Sequence, residues 1–154
     1  MNSIIDFIVK AKRSTYASQG DDASVSPAFV GSRQLEYRDG ALFYRDIYFG
    51  FFFFAGQEVV YENEQPMWSM CYSGGVERFI TSRDDAHVIY TFLQSALRQV
   101  SRDLPFRGPK IYNDGRLTYR NAYEGGFDSF SGQETILRGN EVVYRLQYSG
   151  GILR

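Results

Sequence analysis

The chain is poor in the side chains on which most recognisable chemistry depends: among 154 residues there is one cysteine, one histidine, one tryptophan and only four prolines. The lone Cys71 cannot form an internal disulfide, and a single thiol suits a reducing compartment, so a cytoplasmic protein is expected. His87 has no second histidine to join it, so neither metal ligation nor a histidine-dependent nucleophile has obvious partners, and no metal or cofactor is expected. Positive charge is not in excess either. A net charge of −1 and a pI near 5.8 give no broad basic field to neutralise phosphates, which argues against a direct nucleic-acid partner. Long apolar runs are missing too: none approaches the roughly 20 residues of a membrane helix, and Ile4 to Lys10 is too short and interrupted for a signal sequence. The expectation is a soluble, unprocessed chain with no membrane partner. Gly74-Gly75 and Gly150-Gly151 lead into neither a Lys-Ser/Thr pair nor a clear helix start, so they read as turn glycines and not as phosphate loops.

What the chain has in excess is aromatic side chains, 13 Phe and 12 Tyr, which favour pleated strands and bury large areas. Two stretches of them match each other. Tyr37-Arg38-Asp39-Gly40-Ala41-Leu42-Phe43-Tyr44-Arg45 lies over Tyr112-Asn113-Asp114-Gly115-Arg116-Leu117-Thr118-Tyr119-Arg120, and further on Gly56-Gln57-Glu58 meets Gly132-Gln133-Glu134 and Tyr72-Ser73-Gly74-Gly75 meets Tyr148-Ser149-Gly150-Gly151. Each stretch follows an amphipathic helix. Ile4, Phe7, Ile8 and Ala11 form the stripe of the first, and Val88, Ile89, Phe92, Leu93, Ala96, Leu97 and Val100 that of the second; Ser3/Asp6 and Ser82/Asp85 have capping-box spacing. Asp39-Gly40, Asp114-Gly115, Asn63 to Pro66 and Gly139-Asn140 mark hairpin turns. The pattern predicts an α+β fold: a tandem pseudo-twofold repeat of a helix plus four antiparallel strands, about 1–80 and 81–154. A unit of roughly 75 residues is marginal alone, so the two are expected to share one core in a single domain, 1–154.

Comparing the halves separates expected core from candidates for function. Leu42, Tyr44, Asp46 and Tyr48, with their counterparts Leu117, Tyr119, Asn121 and Tyr123, share a strand face and are read as inward. Trp68, Met70 and Tyr72 likewise match Tyr144, Leu146 and Tyr148, with Ser69 and Cys71 on the solvent side. Phe52 and Phe54 look structural, whereas Phe51 and Phe53 stand opposite Gly126 and Asp128, which marks them as a patch, a pocket wall or a dimer contact. Glu58 and Glu134, each behind Gly-Gln, are repeated acids that could bind cations or shift each other's pKa if they meet; the alternative is a solvated edge-strand pair. Lys10, Lys12 and Arg13 read as favourable charge at a helix C-terminus. Ala17 to Ser32, which only the first half has, is either disordered or a lid.

The patterns Leu35-Glu36-Tyr37-Arg38, Phe54-Ala55-Gly56-Gln57-Glu58-Val59-Val60, Met67-Trp68-Ser69-Met70 and Tyr72-Ser73-Gly74-Gly75 resemble a bacterial domain family of unknown function, and the likeness covers almost the whole chain. The resemblance implies a small cytosolic protein and, because some members carry the domain behind a helix-turn-helix DNA-binding domain, a regulatory or sensory module. With the first helix expected to open at residue 3, no such segment is expected ahead of it here. The leading expectation is a non-enzymatic small-molecule-binding or sensory domain, with Tyr44, Tyr48, Glu58, Tyr119, Tyr123 and Glu134 lining an aromatic cavity. The alternative is a protein-interaction module, an inhibitor or immunity-like partner or a homodimer, anchored by Phe51 and Phe53. An acid-pair enzyme through Glu58 and Glu134 comes third.

Overall fold

A computed structural model describes residues 2–15 and 24–154 of the protein, with side chains from Ile4 onward. Two helices, α1 (Asn2–Ser14) and α2 (Arg83–Leu97), accompany nine strands: β1 (Ser24–Val25), β2 (Arg33–Asp39), β3 (Leu42–Gly50), β4 (Phe53–Glu62), β5 (Gln65–Val76), β6 (Ile111–Asn113), β7 (Leu117–Gly126), β8 (Ser129–Arg138) and β9 (Glu141–Ile152). The strands form one antiparallel sheet in the order β1-β2-β3-β4-β5-β9-β8-β7-β6. The expected α+β class is correct. The strand count differs by one, because part of the insert expected as a loop pairs as edge strand β1, Ser24 facing Leu35 and Val25 facing Gln34. Residues 17–23 of that insert lie outside the described residues, as does the side chain of Ser3 on which the first capping box depends.

The hairpin turns sit where the sequence places them, but Gly74-Gly75 and Gly150-Gly151, read as turn glycines, lie inside β5 and β9, where a Cβ at Gly74 or Gly150 would come within 2.2 Å of a carbonyl oxygen of the facing strand. Gly40, at φ 60°, joins β2 to β3, and Asn63 and Glu64, at φ 49° and 68°, join β4 to β5 in the doubly left-handed backbone that matches strand twist. Gly50, at φ 95°, opens the β3–β4 turn, where a Cβ would lie 2.1 Å from the Phe53 carbonyl oxygen. The apolar stripes of the helices meet the sheet: Phe7, Ile8 and Ala11 of α1, and Ile89, Phe92, Leu93, Ala96 and Leu97 of α2, are buried with Tyr44, Trp68, Met70, Tyr119, Tyr144 and Leu146. Ser82 caps α2 by accepting from the Asp85 amide.

Period-two alternation holds across most of the sheet. Tyr44, Asp46, Glu58, Tyr72, Asn121, Glu134 and Tyr148 turn inward, while Ala55, Gln57, Cys71, Ser73, Gln147 and Ser149 are exposed on the other face. Ser69 departs from the expected solvent side. It is buried because Gln57 Nε2 donates to its Oγ, which in turn donates to the Glu58 carbonyl, both at 2.9 Å.

Candidate functional site: a buried charged layer and the cavity above it

The inward face carries charge at its centre. Neighbouring strands set the register: Asp46 on β3 faces Glu58 on β4, and Asn121 on β7 faces Glu134 on β8. All four are buried, and burial demands partners. For Glu58 the partner is Lys12, whose Nζ stands 2.9 Å from Oε2, with both side chains fully buried. The same ammonium donates to the Phe106 carbonyl and lies 5.6 Å above the Trp68 ring. Burial holds the Lys12 pKa below its ordinary value, opposed by the Glu58 charge. Lys12 is therefore a core residue and not a member of a surface charge cluster at the helix end, which corrects the sequence reading. It follows Ile4 and Ile8 at spacings of four, on the row that faces the sheet.

Glu134 is satisfied differently. Arg107 donates through Nη2 to Oε1 (2.6 Å) and through Nε to Oε2 (3.2 Å); Tyr119 adds a bond to Oε2 (2.6 Å) and Tyr144 one to Oε1 (2.7 Å). Arg107 arrives on the segment between α2 and β6, fixed by Phe106, which stacks on Phe130 at 3.9 Å, and by Gly108, whose amide donates to the Tyr119 hydroxyl. A Cβ at Gly108 would come within 2.8 Å of that ring, so glycine is what lets the segment pass. Nothing local in the sequence announces Arg107; its role depends on a segment far from its partner strand.

Asp46 and Asn121 occupy corresponding positions with different chemistry. Tyr72 donates to Asp46 Oδ1 at 2.6 Å, and Tyr148 donates to Asn121 Oδ1 at 2.7 Å. Burial, and then the Glu58 charge, push the Asp46 carboxyl up to about 7 against the opposing effects of the Tyr72 bond, Arg107 and Lys12. Burial first and the Asp46 charge second push the Tyr72 hydroxyl well above its ordinary range. A carboxyl that titrates near neutrality can hold or release a proton at physiological pH.

Above this layer, between the sheet and α2, is a cavity of about 420 Å³. Its inner end is made by the buried Asp46, Tyr72 and Arg107. Aromatic walls come from Tyr48, Phe51, Phe54 and Tyr90, with Leu93 and Leu97 of α2 closing the side. Phe54 packs edge-on against Tyr48, Tyr72 and Tyr90; the Tyr90 hydroxyl donates to the Phe51 carbonyl, and burial pushes its pKa up to about 12. At the outer end the exposed Arg33, Arg83 and His87 contribute, with the Arg83 guanidinium 4.5 Å over the Phe51 ring and the His87 ring 5.2 Å from it. A wider depression of about 730 Å³ on the exposed sheet face is lined by Cys71, Tyr123, Gln133 and Gln147, without any buried charged group.

Of the residues picked from sequence, Tyr48 and Phe51 line the cavity. Tyr44, Glu58, Tyr119 and Glu134 are buried in the layer and core, outside the cavity lining. Tyr123 packs on Phe106 and borders the depression on the other face, and Phe53 is 66% exposed. Each repeated acid is bound to a cation of its own. Arg33, Asp46, Arg83 and Arg107 are the Asp and Arg residues of the cavity lining, and of these the sequence reading placed only Asp46, on the inward face.

No helix among the described residues is long and apolar enough to cross a membrane, and no group of three or more His, Cys, Asp or Glu among them is arranged to hold a metal ion. No curated protein and no solved structure matches the chain. Residues 46–153 do match a domain family, a span that begins at Asp46 and takes in Glu58, α2, Arg107 and Glu134 but not α1. The chain belongs to that family, a domain of unknown function designated DUF5680.

Proposed function

We propose that the protein is a non-enzymatic small-molecule-binding domain of sensory or regulatory type, acting in the cytoplasm, with the cavity between α2 and the sheet as its site. The observation that carries this reading is an aromatic-walled cavity whose inner end is made by Asp46, Tyr72 and Arg107, buried polar groups aimed where a ligand would sit. Its size, about 420 Å³, falls in the range of small-molecule sites. Native mass spectrometry of freshly purified protein, followed by a thermal-shift screen of metabolites, tests it. A retained or stabilising compound is expected, and its effect should vanish in Gln94→Trp, which fills the cavity from α2. If nothing is retained and nothing raises the melting temperature, the reading fails.

A tandem duplication in one domain underlies the proposal. It is supported by the mirrored strand order about the β5–β9 pair, where Tyr72 faces Tyr148, and by bulges at Val60/Tyr61 and Ile136/Leu137 in the β4–β5 and β8–β9 hairpins. On this reading the Asp46 half kept an ionisable group where the other half has Asn121, and the cavity lies on the Asp46 side.

A protein-interaction role has one observation in its favour: Phe49 and Phe53, 45% and 66% exposed, stand on the face opposite the helices. Phe49→Asp with Phe53→Asp should then change oligomeric state by light scattering or abolish capture of a partner; an unchanged protein discards this second reading.

A further inference from the structure

We infer that the cavity takes an oxyanion carried on a flat aromatic or apolar body, an aryl carboxylate or aryl phosphate, with the acidic group between Arg33 and Arg83 at the outer end and the body among Tyr48, Phe51, Phe54 and Tyr90. This rests on the reading of the cavity as a small-molecule site.

The distribution of charge points to the ligand class. Arg45, Arg102, Arg107, Arg138 and Arg145 each pair with a carboxylate, whereas Arg33 and Arg83 make no ion pair among the described residues, though both line the same cavity. The one carboxyl lining the cavity, Asp46, is at the buried inner end. Burial pushes it up to about 7, so near neutrality much of it is uncharged and its repulsion of an anion is reduced. Arg107 is neutralised by Glu134, which leaves Arg33 and Arg83 as the arginines of the cavity lining that have no carboxylate partner among the described residues.

The rest of the lining fits the body. The Arg83 guanidinium carbon lies 4.5 Å over the Phe51 ring, a cation–π contact that occupies no N–H donor with a carboxylate. Guanidinium groups match the planar geometry of carboxylate and phosphate oxygens. The edge-to-face rings of Phe51, Phe54 and Tyr90, 5.6 to 5.9 Å apart along the wall, offer an aromatic body the packing they already adopt among themselves.

The test is calorimetric titration of the full chain with indole-3-acetate, phenyl phosphate, tryptamine and inorganic phosphate, repeated with Arg33→Gln and Arg83→Gln, two exposed substitutions. Indole-3-acetate or phenyl phosphate should bind, more weakly at high salt, and each variant should weaken binding by about tenfold or more. Which of the two binds more tightly distinguishes carboxylate from phosphate as the source of the charge. Inorganic phosphate alone should bind more weakly than either aryl anion. Binding of tryptamine equal to that of indole-3-acetate, or full affinity in both arginine variants, would overturn the anion assignment while leaving the cavity as a site. Failure of all four probes overturns the inference, and failure of the metabolite screen as well removes the cavity reading with it.

Discussion

Two carboxylates at the centre of a small core are costly to bury, and the protein settles each with a cation from outside the sheet. Lys12 comes from α1 and Arg107 from the segment before β6. Removing one partner of such a pair strands the other, which costs about 3–5 kcal/mol. Lys12→Met should therefore lower stability by about that amount in urea unfolding, and adding Glu58→Gln should recover a large part of it. Asp46 behaves differently because its folded-state pKa, about 7, is above the ordinary carboxyl value of about 4. Between these values the folded protein binds more protons than the unfolded chain, so the Asp46 contribution is complete below about pH 4 and is lost as pH rises through about 7. Asp46→Asn places there the residue that already sits at 121, with Tyr72 donating to it as Tyr148 donates to Asn121. The variant should exceed the parent in stability by about 2–4 kcal/mol at pH 8 and by little at pH 4, measured as the difference between two denaturation series so that shared groups cancel.

At the scale of strands and turns, glycine decides where tyrosines can lie. Gly56 and Gly132 sit opposite Tyr72 and Tyr148, and a Cβ at either would come within 2.4 Å of the tyrosine ring or its hydroxyl. The Tyr72 ring cannot swing aside without giving up its bond to Asp46. Gly56→Ala should thus cost about 1–3 kcal/mol and flatten the pH dependence attributed to Asp46, a coupled loss that simple overpacking would not produce. The β4–β5 turn allows the opposite change. Glu64 sits at φ 68°, a conformation that costs a non-glycine residue roughly 1 kcal/mol, and Asn-Gly is the favoured pair for such a turn. Glu64→Gly should raise the melting temperature in calorimetry, with a gain of about 1 kcal/mol. The turns and both helix stripes were legible in the sequence because each depends on residues within a few positions of one another. The pairing of Lys12 with Glu58 was not, although the spacing of Lys12 from Ile4 and Ile8 was in view, because spacing identifies a face and not what lies across from it.

For the molecule as a whole, the join between β5 and β9 is the central ladder, and the core crosses it: Trp68 on β5 stacks on Phe127 and Phe130, at 6.0 and 5.7 Å. One buried cluster draws on residues from both halves. Residues 1–81 and 82–154 produced separately should show no cooperative thermal transition by circular dichroism, and Trp68 in the first fragment should emit as a solvent-exposed indole; a sharp melt in either fragment would contradict a shared core. The outer edges of the sheet are guarded by brevity, since β1 has two residues and β6 three, which limits edge-to-edge association.

Whatever depended on local chain chemistry, the sequence by itself determined: the α+β class, the hairpins at Asp39-Gly40, Asn63 to Pro66 and Gly139-Asn140, the two amphipathic helices, and the inward set Tyr44, Asp46, Tyr119 and Asn121. Tertiary structure alone decided which inward groups meet and which face a void. It set Lys12 on Glu58 and Arg107 on Glu134, and it gathered Arg33, Asp46, Phe51, Tyr72, Arg83 and His87 around one cavity. The reason is physical. Hydrophobic period and turn chemistry act over a few residues, whereas the partners of a buried charge are chosen by desolvation, which any donor brought close by the fold can offset, however far away it lies along the chain.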